Sequence, residues 1–241
     1  MHIVSRDNKR VKGLVKLHLP KYRRQRREYL VYGRTLCAEA LAAGVVTTLI
    51  FVADDQYRAA DFPDKLLVSP QVMRVLADNA NVEICAVCRL EERPFVSGSH
   101  VVVLDTVQDP GNLGTILRSA RAFGLTNIFL SENCVDPYSI KVLRAAQGAH
   151  FSQSLRIGSL EAYLHASANS LVTTFVDEPT SFSPTPDVAY DIVFGNEGRG
   201  IRASLKESRR QNIRLEIDFE SLNVAVAASI ILYTTFRPIS G

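Results

Sequence analysis

Three separated segments carry the residue types from which a binding and catalytic site would be built. The first runs Asp105-Thr106-Val107-Gln108-Asp109-Pro110-Gly111-Asn112-Leu113-Gly114-Thr115-Ile116-Leu117-Arg118. Gly111 and Gly114 let the backbone turn sharply against a ligand, Asn112 is a candidate helix cap, and Arg118 lies six residues on, about one and two-thirds turns along that helix. The second, Gly195-Asn196-Glu197-Gly198-Arg199-Gly200, places three glycines in six positions. Glycines are poor filler, because each loses backbone entropy on folding, but they suit a ligand lying flat on the chain. Glu197 within it reads either as a surface turn residue or as a carboxylate aimed at a cation or hydroxyl. The third, Ser221-Leu222-Asn223-Val224-Ala225, has Ser221 as candidate N-cap of a helix of small residues. The amide of Asn223, a disfavoured residue inside a helix, is then free for a neighbour. Strand, glycine turn and helix in the first segment invite a dinucleotide-binding reading. The glycines are spaced G-x-x-G, however, and Ile116 stands where a third would fall, so that fingerprint is not met.

Such segments need strands that end where they begin. Val101-Val102-Val103-Leu104-Asp105 is a continuous apolar run, as in a strand covered on both faces. The pattern after it predicts helix 112–123, strand 126–131, helix 139–147, strand 151–157, helix 159–167 and strand 171–176. A loop with Pro179, Pro184 and Pro186 follows, then strand 190–194, helix 202–210, strand 213–217 and helix 221–236. This alternation predicts an α/β fold with a mostly parallel sheet, whose ligands sit beyond the carboxyl ends of its strands. Upstream of a Pro-, Gly- and Ser-bearing linker at 91–100 the pattern gives a smaller α/β unit. It consists of helix 35–44 capped by Thr35, strand 47–53, helix 70–78 with Ser69 as cap and Pro70 in its first turn, and strand 83–90. The predicted domains are 1–95 and 96–241.

Charge is distributed unevenly. Residues 1–35 hold eleven Lys/Arg against Asp7 and Glu28, a balance of +9 within a chain whose net charge is +3, so the remainder carries −6. Arg6, Lys9, Arg10, Lys12, Arg23, Arg24, Arg26 and Arg27 are the candidates to neutralise a polyanion's phosphates; the alternative is a solvated basic arm. Tyr22 and Tyr29 lie in the run and offer stacking surfaces for unpaired bases, which favours RNA. No broad apolar face accompanies the charges, which argues against a membrane surface. Hydrophobic residues at 46% and charged residues at 22% are ordinary globular values and exclude a disordered chain. Four cysteines form no disulfide framework and no leader opens the sequence, so the expectation is a reduced, cytoplasmic protein. Cys85 and Cys88 have metal-like spacing without a second pair, and on a strand they point to opposite faces. The five histidines lack metal spacing, and His150 is expected at a strand edge; no metal site is predicted.

Taken together, the three segments resemble the three motifs of the SpoU/TrmH family of RNA ribose 2′-O-methyltransferases in the SPOUT superfamily. Residues 109–120 resemble the first motif, 195–200 the second and 221–224 the third, and Ser5 to Leu19 with Val31 to Ala42 resemble the family's amino-terminal domain. The resemblance implies a C-terminal SPOUT domain with a parallel sheet and a deep trefoil knot, joined to a smaller N-terminal L30e-like domain that binds RNA. It implies a homodimer through the C-terminal domain, and S-adenosylmethionine as cofactor. The cofactor would contact Thr174, Gly195, Asn196, Gly200, Leu222 and either Leu215 or Ile217. Arg118, helped by Asn112, Glu197, Ser221 and Asn223, would serve methyl transfer to a ribose hydroxyl. Arginine, with a pKa above ~12, is a poor base, so Arg118 is read as holding a phosphate and stabilising the developing alkoxide. Ribosomal RNA is favoured over transfer RNA; a transfer RNA enzyme, or a noncatalytic RNA-binding protein with the same fold, are the alternatives. The chain departs from the family at Tyr32, at Ala146, and in a stretch before Ser221 about two residues shorter.

Overall fold

Apolar residues alternating along strands organise the first half of the chain. A computed structural model describes residues 2–52, 62, 64–208 and 210–236. Among these, β1 (His2–Ile3), β2 (Glu28–Tyr32), β3 (Val46–Phe51), β4 (Lys65–Val68) and β5 (Ile84–Arg89) form one sheet in the order β1-β4-β3-β5-β2. β1, β4 and β3 are parallel, and β5 pairs antiparallel with both β3 and β2. Along β5, Cys85 and Val87 enter one core cluster while Ile84, Ala86 and Cys88 enter another, the two-residue period of a strand buried on both faces. The helices here are α1 (Lys9–Val15), α2 (Pro20–Arg26), α3 (Arg34–Ala42) and α4 (Pro70–Leu76). α1 and α4 supply Val11, Leu14, Val72, Met73 and Leu76 to the first cluster, and α3 supplies Leu36, Cys37 and Ala40 to the second. Ser69 caps α4 as predicted, accepting from the Val72 N–H, whereas α3 starts behind Gly33 rather than Thr35 and has no side-chain cap.

The second half forms a sheet in which all pairs among the described residues are parallel. Its strands are β6 (Val101–Leu104), β7 (Asn127–Ser131), β8 (Ser154–Gly158), β9 (Ser170–Thr173), β10 (Tyr190–Phe194) and β11 (Gln211–Asn212), in the order β11-β9-β10-β6-β7-β8. The chain runs outward from β6 through β7 and β8, then returns to lay β10 on the other side of β6. At such a switch point the loops leaving adjacent strands diverge and open a crevice; here they are the loops after Leu104 and after Phe194, which stand level in the register. The helices are α5 (Pro110–Ala122), α6 (Ile140–Ala146), α7 (Leu160–Ala166) and α8 (Val224–Ile231), the last continued by a π turn over Leu232–Phe236. α5 and α8 lie side by side and point the same way. Asn112 meets Asn223 at their amino ends, the Ser119 and Ser229 hydroxyls lie 2.7 Å apart, and the Phe123 and Tyr233 rings are 5.4 Å apart.

Several predicted elements differ: strand 151–157 starts only at Ser154, behind a 3-10 turn over Ala149–Ser152, and strand 171–176 ends at Thr173. Residues 213–217 are not a strand, because β11 ends at Asn212 and Ile213, Leu215 and Ile217 line a pocket instead. Helix 202–210 shrinks to a 3-10 turn, Ala203–Glu207. Helix 221–236 begins at Val224. The segment 138–151 belongs by packing with the first half: Leu143 of α6 and Phe151 join the cluster of Tyr29, Val31 and Leu36. The two compact units are therefore 1–91 with 138–151, and 92–137 with 152–241.

Candidate active site

The site begins with how α5 and α8 are capped. Asp109, not Asn112, is the N-cap of α5, accepting from the Asn112 N–H at 2.8 Å, with Pro110 in the first turn. This releases the Asn112 side chain. At α8 the cap is Asn223 rather than Ser221, its Oδ1 accepting from the N–H groups of Ala225 and Val226. The Asn223 Nδ2 is left to donate to Asn112 Oδ1 at 2.9 Å, and Asn112 Nδ2 donates to Glu197 Oε1 at 3.1 Å. A relay of amides thus joins the three segments.

Glu197 is the acceptor at its end. The carboxylate also takes the N–H groups of Asp109 at 3.1 Å and Gln108 at 3.4 Å, and the Asn196 Nδ2 at 3.1 Å. Partial burial pushes its pKa up, but the Asn112 amide and the backbone N–H donors outweigh it and hold the carboxyl below the ordinary range. Glu197 is therefore an ionised anchor aimed at N–H donors, not at a cation or hydroxyl, and a weak proton acceptor.

The glycine segment closes on itself. A Cβ on Gly195 would lie 2.2 Å from the Gly200 carbonyl carbon and the Ile201 nitrogen, so no other residue fits there. Asn196 and Gly200 exchange both backbone hydrogen bonds at 2.9 Å, and Gly200 sits at φ +68°, open to glycine at little cost. Around this ring opens a hollow of about 400 Å³ lined by every cofactor candidate: Thr174, Gly195, Asn196, Gly200, Leu215, Ile217 and Leu222. That volume is in the range of small-molecule sites, about 300–1,000 Å³. Both Leu215 and Ile217 face it, and Glu197 and Ser221 complete its rim. The Thr174 hydroxyl is committed to the Val193 carbonyl at 2.9 Å.

Beneath the ring lies a charged contact that sequence reasoning missed. Asp105, 2% exposed at the end of β6, accepts from the Arg202 backbone N–H at 3.1 Å, from Arg202 Nε at 3.0 Å and from its Nη2. Burial pushes the Asp105 carboxyl up, and the hydrogen bonds and charge of Arg202, with the Thr106 hydroxyl, overcome it and keep it below its usual value. Thr106 adopts φ +61°, a left-handed conformation that costs a β-branched residue about 1–3 kcal/mol and marks functional loops. A carboxylate ending a buried apolar strand was the available signal.

Other candidates are placed differently. Arg118 is exposed on α5 and does not line the hollow; Asn112 and Asn223 join it through Glu197. In the basic segment, Arg23 is buried and donates to the Leu17 carbonyl at 2.7 Å, so it braces the fold rather than presenting a charge to RNA. Tyr29 is buried in β2 and Tyr22 lies half-buried under the Lys16 ammonium, so neither offers an open stacking face. Arg10 pairs with Asp64, Lys12 with Asp7 and Arg26 with Glu28, and Arg27 donates to the Leu90 carbonyl. Arg6, Lys9 and Arg24 are exposed. His150 is not at a strand edge: it is buried in the 3-10 turn Ala149–Ser152 among Tyr29, Tyr138 and Phe151, and burial lowers its pKa to about 3.

A parallel α/β sheet with a glycine-walled hollow beyond the carboxyl ends of β9, β10 and β11 has the form of a small-molecule binding site. The sequence of residues 99–233 matches the SpoU rRNA Methylase family, and residues 8–88 match the MRM3-like substrate binding domain. The chain belongs to the SpoU rRNA methylase family. It is 32% identical over 241 residues to the 23S rRNA (guanosine(2553)-2′-O)-methyltransferase RlmP of Bacillus subtilis, covering 96% of this chain and 97% of the relative. An AdoMet-bound rRNA methyltransferase from Sinorhizobium meliloti superposes with a TM-score of 0.84 at 25% identity, covering 97% of this chain and 96% of that one. A solved RNA 2′-O ribose methyltransferase gives 0.76 at 29% identity, covering 97% of each chain.

Proposed function

We propose that the protein is an enzyme that transfers a methyl group from S-adenosylmethionine to a ribose 2′-hydroxyl in structured RNA, with ribosomal RNA the favoured substrate. The observation that carries this is the convergence of all seven cofactor candidates on one hollow whose rim holds Glu197 and Ser221. The hollow suits such a cofactor: apolar Leu215, Ile217 and Leu222 for a flat ring, Arg199 and Arg214 for a carboxylate, and Glu220 for a cation. When bound, the cofactor supplies an electrophilic methyl on a sulfonium. The ribose oxygen would bond to that methyl carbon as the carbon–sulfur bond breaks, leaving a neutral thioether, with the hydroxyl proton passing to solvent water. Arg118, exposed on α5, holds the neighbouring phosphate and stabilises the oxygen as it loses the proton. The Glu197–Asn112–Asn223 relay fixes the start of α5 and with it Arg118. Placement of this kind contributes about 7–11 kcal/mol to a two-substrate reaction.

The same reading takes the catalytic half as a trefoil-knotted SPOUT domain and the amino-terminal unit as an L30e-like RNA-binding domain. It takes the protein as a cytoplasmic homodimer. The exposed apolar stripe of α8, Val226, Ile230 and Tyr233, supports an interface on that helix. Among the described residues no helix is long and apolar enough to cross a membrane. Mapping ribose methylation in total RNA from cells with and without the gene tests the activity; an unchanged map overturns it. Arg118→Ala is expected to abolish methyl transfer while calorimetry shows S-adenosylmethionine bound as in wild type.

A further inference from the structure

The glycine ring is closed on itself, so its position relative to the rest of the site depends on where its two ends are tied. At the entrance, Asn196 Nδ2 donates to the Thr106 carbonyl at 2.8 Å, and Asn196 Oδ1 takes the N–H groups of Gly198 and Arg199 at 3.0 Å. At the exit, Arg202 grips both oxygens of Asp105 through Nε, Nη2 and its backbone N–H. Both ties land on one dipeptide, Asp105-Thr106, itself pinned by the Thr106 N–H donating to Ser131 Oγ at 2.8 Å. The outer side of the Arg202 guanidinium meets Glu161, which is largely exposed.

We propose that Asp105 and Arg202 are positioning residues that hold the glycine ring at the geometry the cofactor requires. This rests on the proposed use of the hollow for S-adenosylmethionine. A buried ion pair is a poor source of stability, since desolvation consumes most of its attraction. What a two-point guanidinium–carboxylate contact supplies is fixed distance and angle, where a greasy contact would let the ring slide. Glu197 is tethered separately, by Gln108, Asp109 and Asn112. Loosening Arg202 therefore displaces the walls of the hollow while leaving the acceptor side in place.

The test is calorimetry of the full chain with S-adenosylmethionine, alongside steady-state methyl transfer. Arg202→Lys keeps the charge and removes the fork; it is expected to weaken S-adenosylmethionine binding about tenfold or more, as small misplacements do. KM for S-adenosylmethionine rises in step, while kcat at saturating cofactor and KM for RNA stay within about twofold of wild type, a split that a merely structural defect would not give. Glu161→Gln, outside the fork, is expected to change affinity less than about twofold. If Arg202→Lys does not fold, the neutral pair Asp105→Asn with Arg202→Gln, which keeps hydrogen bonding without buried charge, takes its place with the same expectation. Unchanged affinity in a folded variant, or a fall in kcat with KM unmoved, overturns the proposal. Wild-type protein that binds no S-adenosylmethionine overturns instead the functional reading beneath it.

Discussion

Asn223 holds two tasks on two atoms, and substitutions can separate them. Its Oδ1 caps α8 and its Nδ2 donates to Asn112. Asp caps as well as Asn, so Asn223→Asp is expected to leave thermal stability within about 0.5 kcal/mol of wild type. It presents a carboxylate to the Asn112 oxygen, breaks the relay, and lowers methyl transfer about tenfold or more by misplacing α5. Asn223→Ala loses the cap too and costs about 1 kcal/mol in stability. Full turnover by a folded Asp variant would remove the relay from the mechanism. His150 is a second residue whose behaviour follows from its surroundings. Its two ring nitrogens are buried without a hydrogen-bond partner among the described residues, and its pKa falls from 6.5 to about 3 because burial disfavours the imidazolium. Below pH 6.5 the unfolded chain takes up a proton that the folded chain refuses, so stability is full above that pH and declines as the pH falls toward 3. The slope is about 1.4 kcal/mol per pH unit, or about 2 kcal/mol by pH 5. His150→Phe removes an unsatisfied polar ring and is expected to flatten this decline in denaturation curves of the amino-terminal unit; an equally steep decline would assign it to other groups.

At the scale of elements, α8 has a buried and an open side. Ala225, Ala228 and Ile231 are buried, whereas Val226, Ile230 and Tyr233 remain 47%, 39% and 45% exposed one and two turns apart. Charging this stripe with Val226→Asp and Ile230→Asp is expected to convert the proposed homodimer to monomer in sedimentation equilibrium without melting the helix, whose core side is untouched. A wild-type chain that sediments as a monomer would end the dimer reading. The elements also show what could be read beforehand. Strands β6, β7 and β10, each apolar on both faces, and helix α5 were legible because continuous burial leaves an unmistakable pattern. α1 and α2 were not: seven residues with Val11 and Leu14 as the buried pair, or Arg23 alone, give periodicity nothing to act on. Ile213, Leu215 and Ile217 alternate as a strand would, yet that alternation serves the wall of a hollow and needs no pairing strand. The motif loops were legible as a site, since glycine density marks close approach of backbone. The caps were not, because Asp109 and Asn112, or Ser221 and Asn223, are chemically equivalent candidates until the helix starts are known. The Asp105–Arg202 contact was hidden because 97 residues separate its partners.

For the whole chain, the uneven charge sets how RNA binding should respond to salt. Of the eight basic candidates, Arg23 is buried, and Arg10, Lys12 and Arg26 already neutralise Asp64, Asp7 and Glu28. Surface pairs of this kind contribute about 0–1 kcal/mol each and exchange readily for a phosphate. Arg6, Lys9 and Arg24 project from the same unit with exposed side chains and form no ion pair with a carboxylate among the described residues. Each cation that meets a phosphate releases counterions, so it steepens the dependence of log K on log salt by about 0.7–0.9. Lys9→Gln combined with Arg24→Gln is therefore expected to weaken RNA binding at low salt and to lower the slope by about 1.5, with S-adenosylmethionine affinity unchanged. Arg23→Gln should behave in the opposite manner. Removing its bond to the Leu17 carbonyl leaves a buried acceptor unpaired, which costs about 1–3 kcal/mol, so the melting temperature falls while the salt slope of the folded protein stays at the wild-type value. Filter binding across a salt series, paired with thermal denaturation, distinguishes the two. If the Lys9 and Arg24 substitutions leave the slope intact, the basic segment is a solvated arm and RNA is held elsewhere.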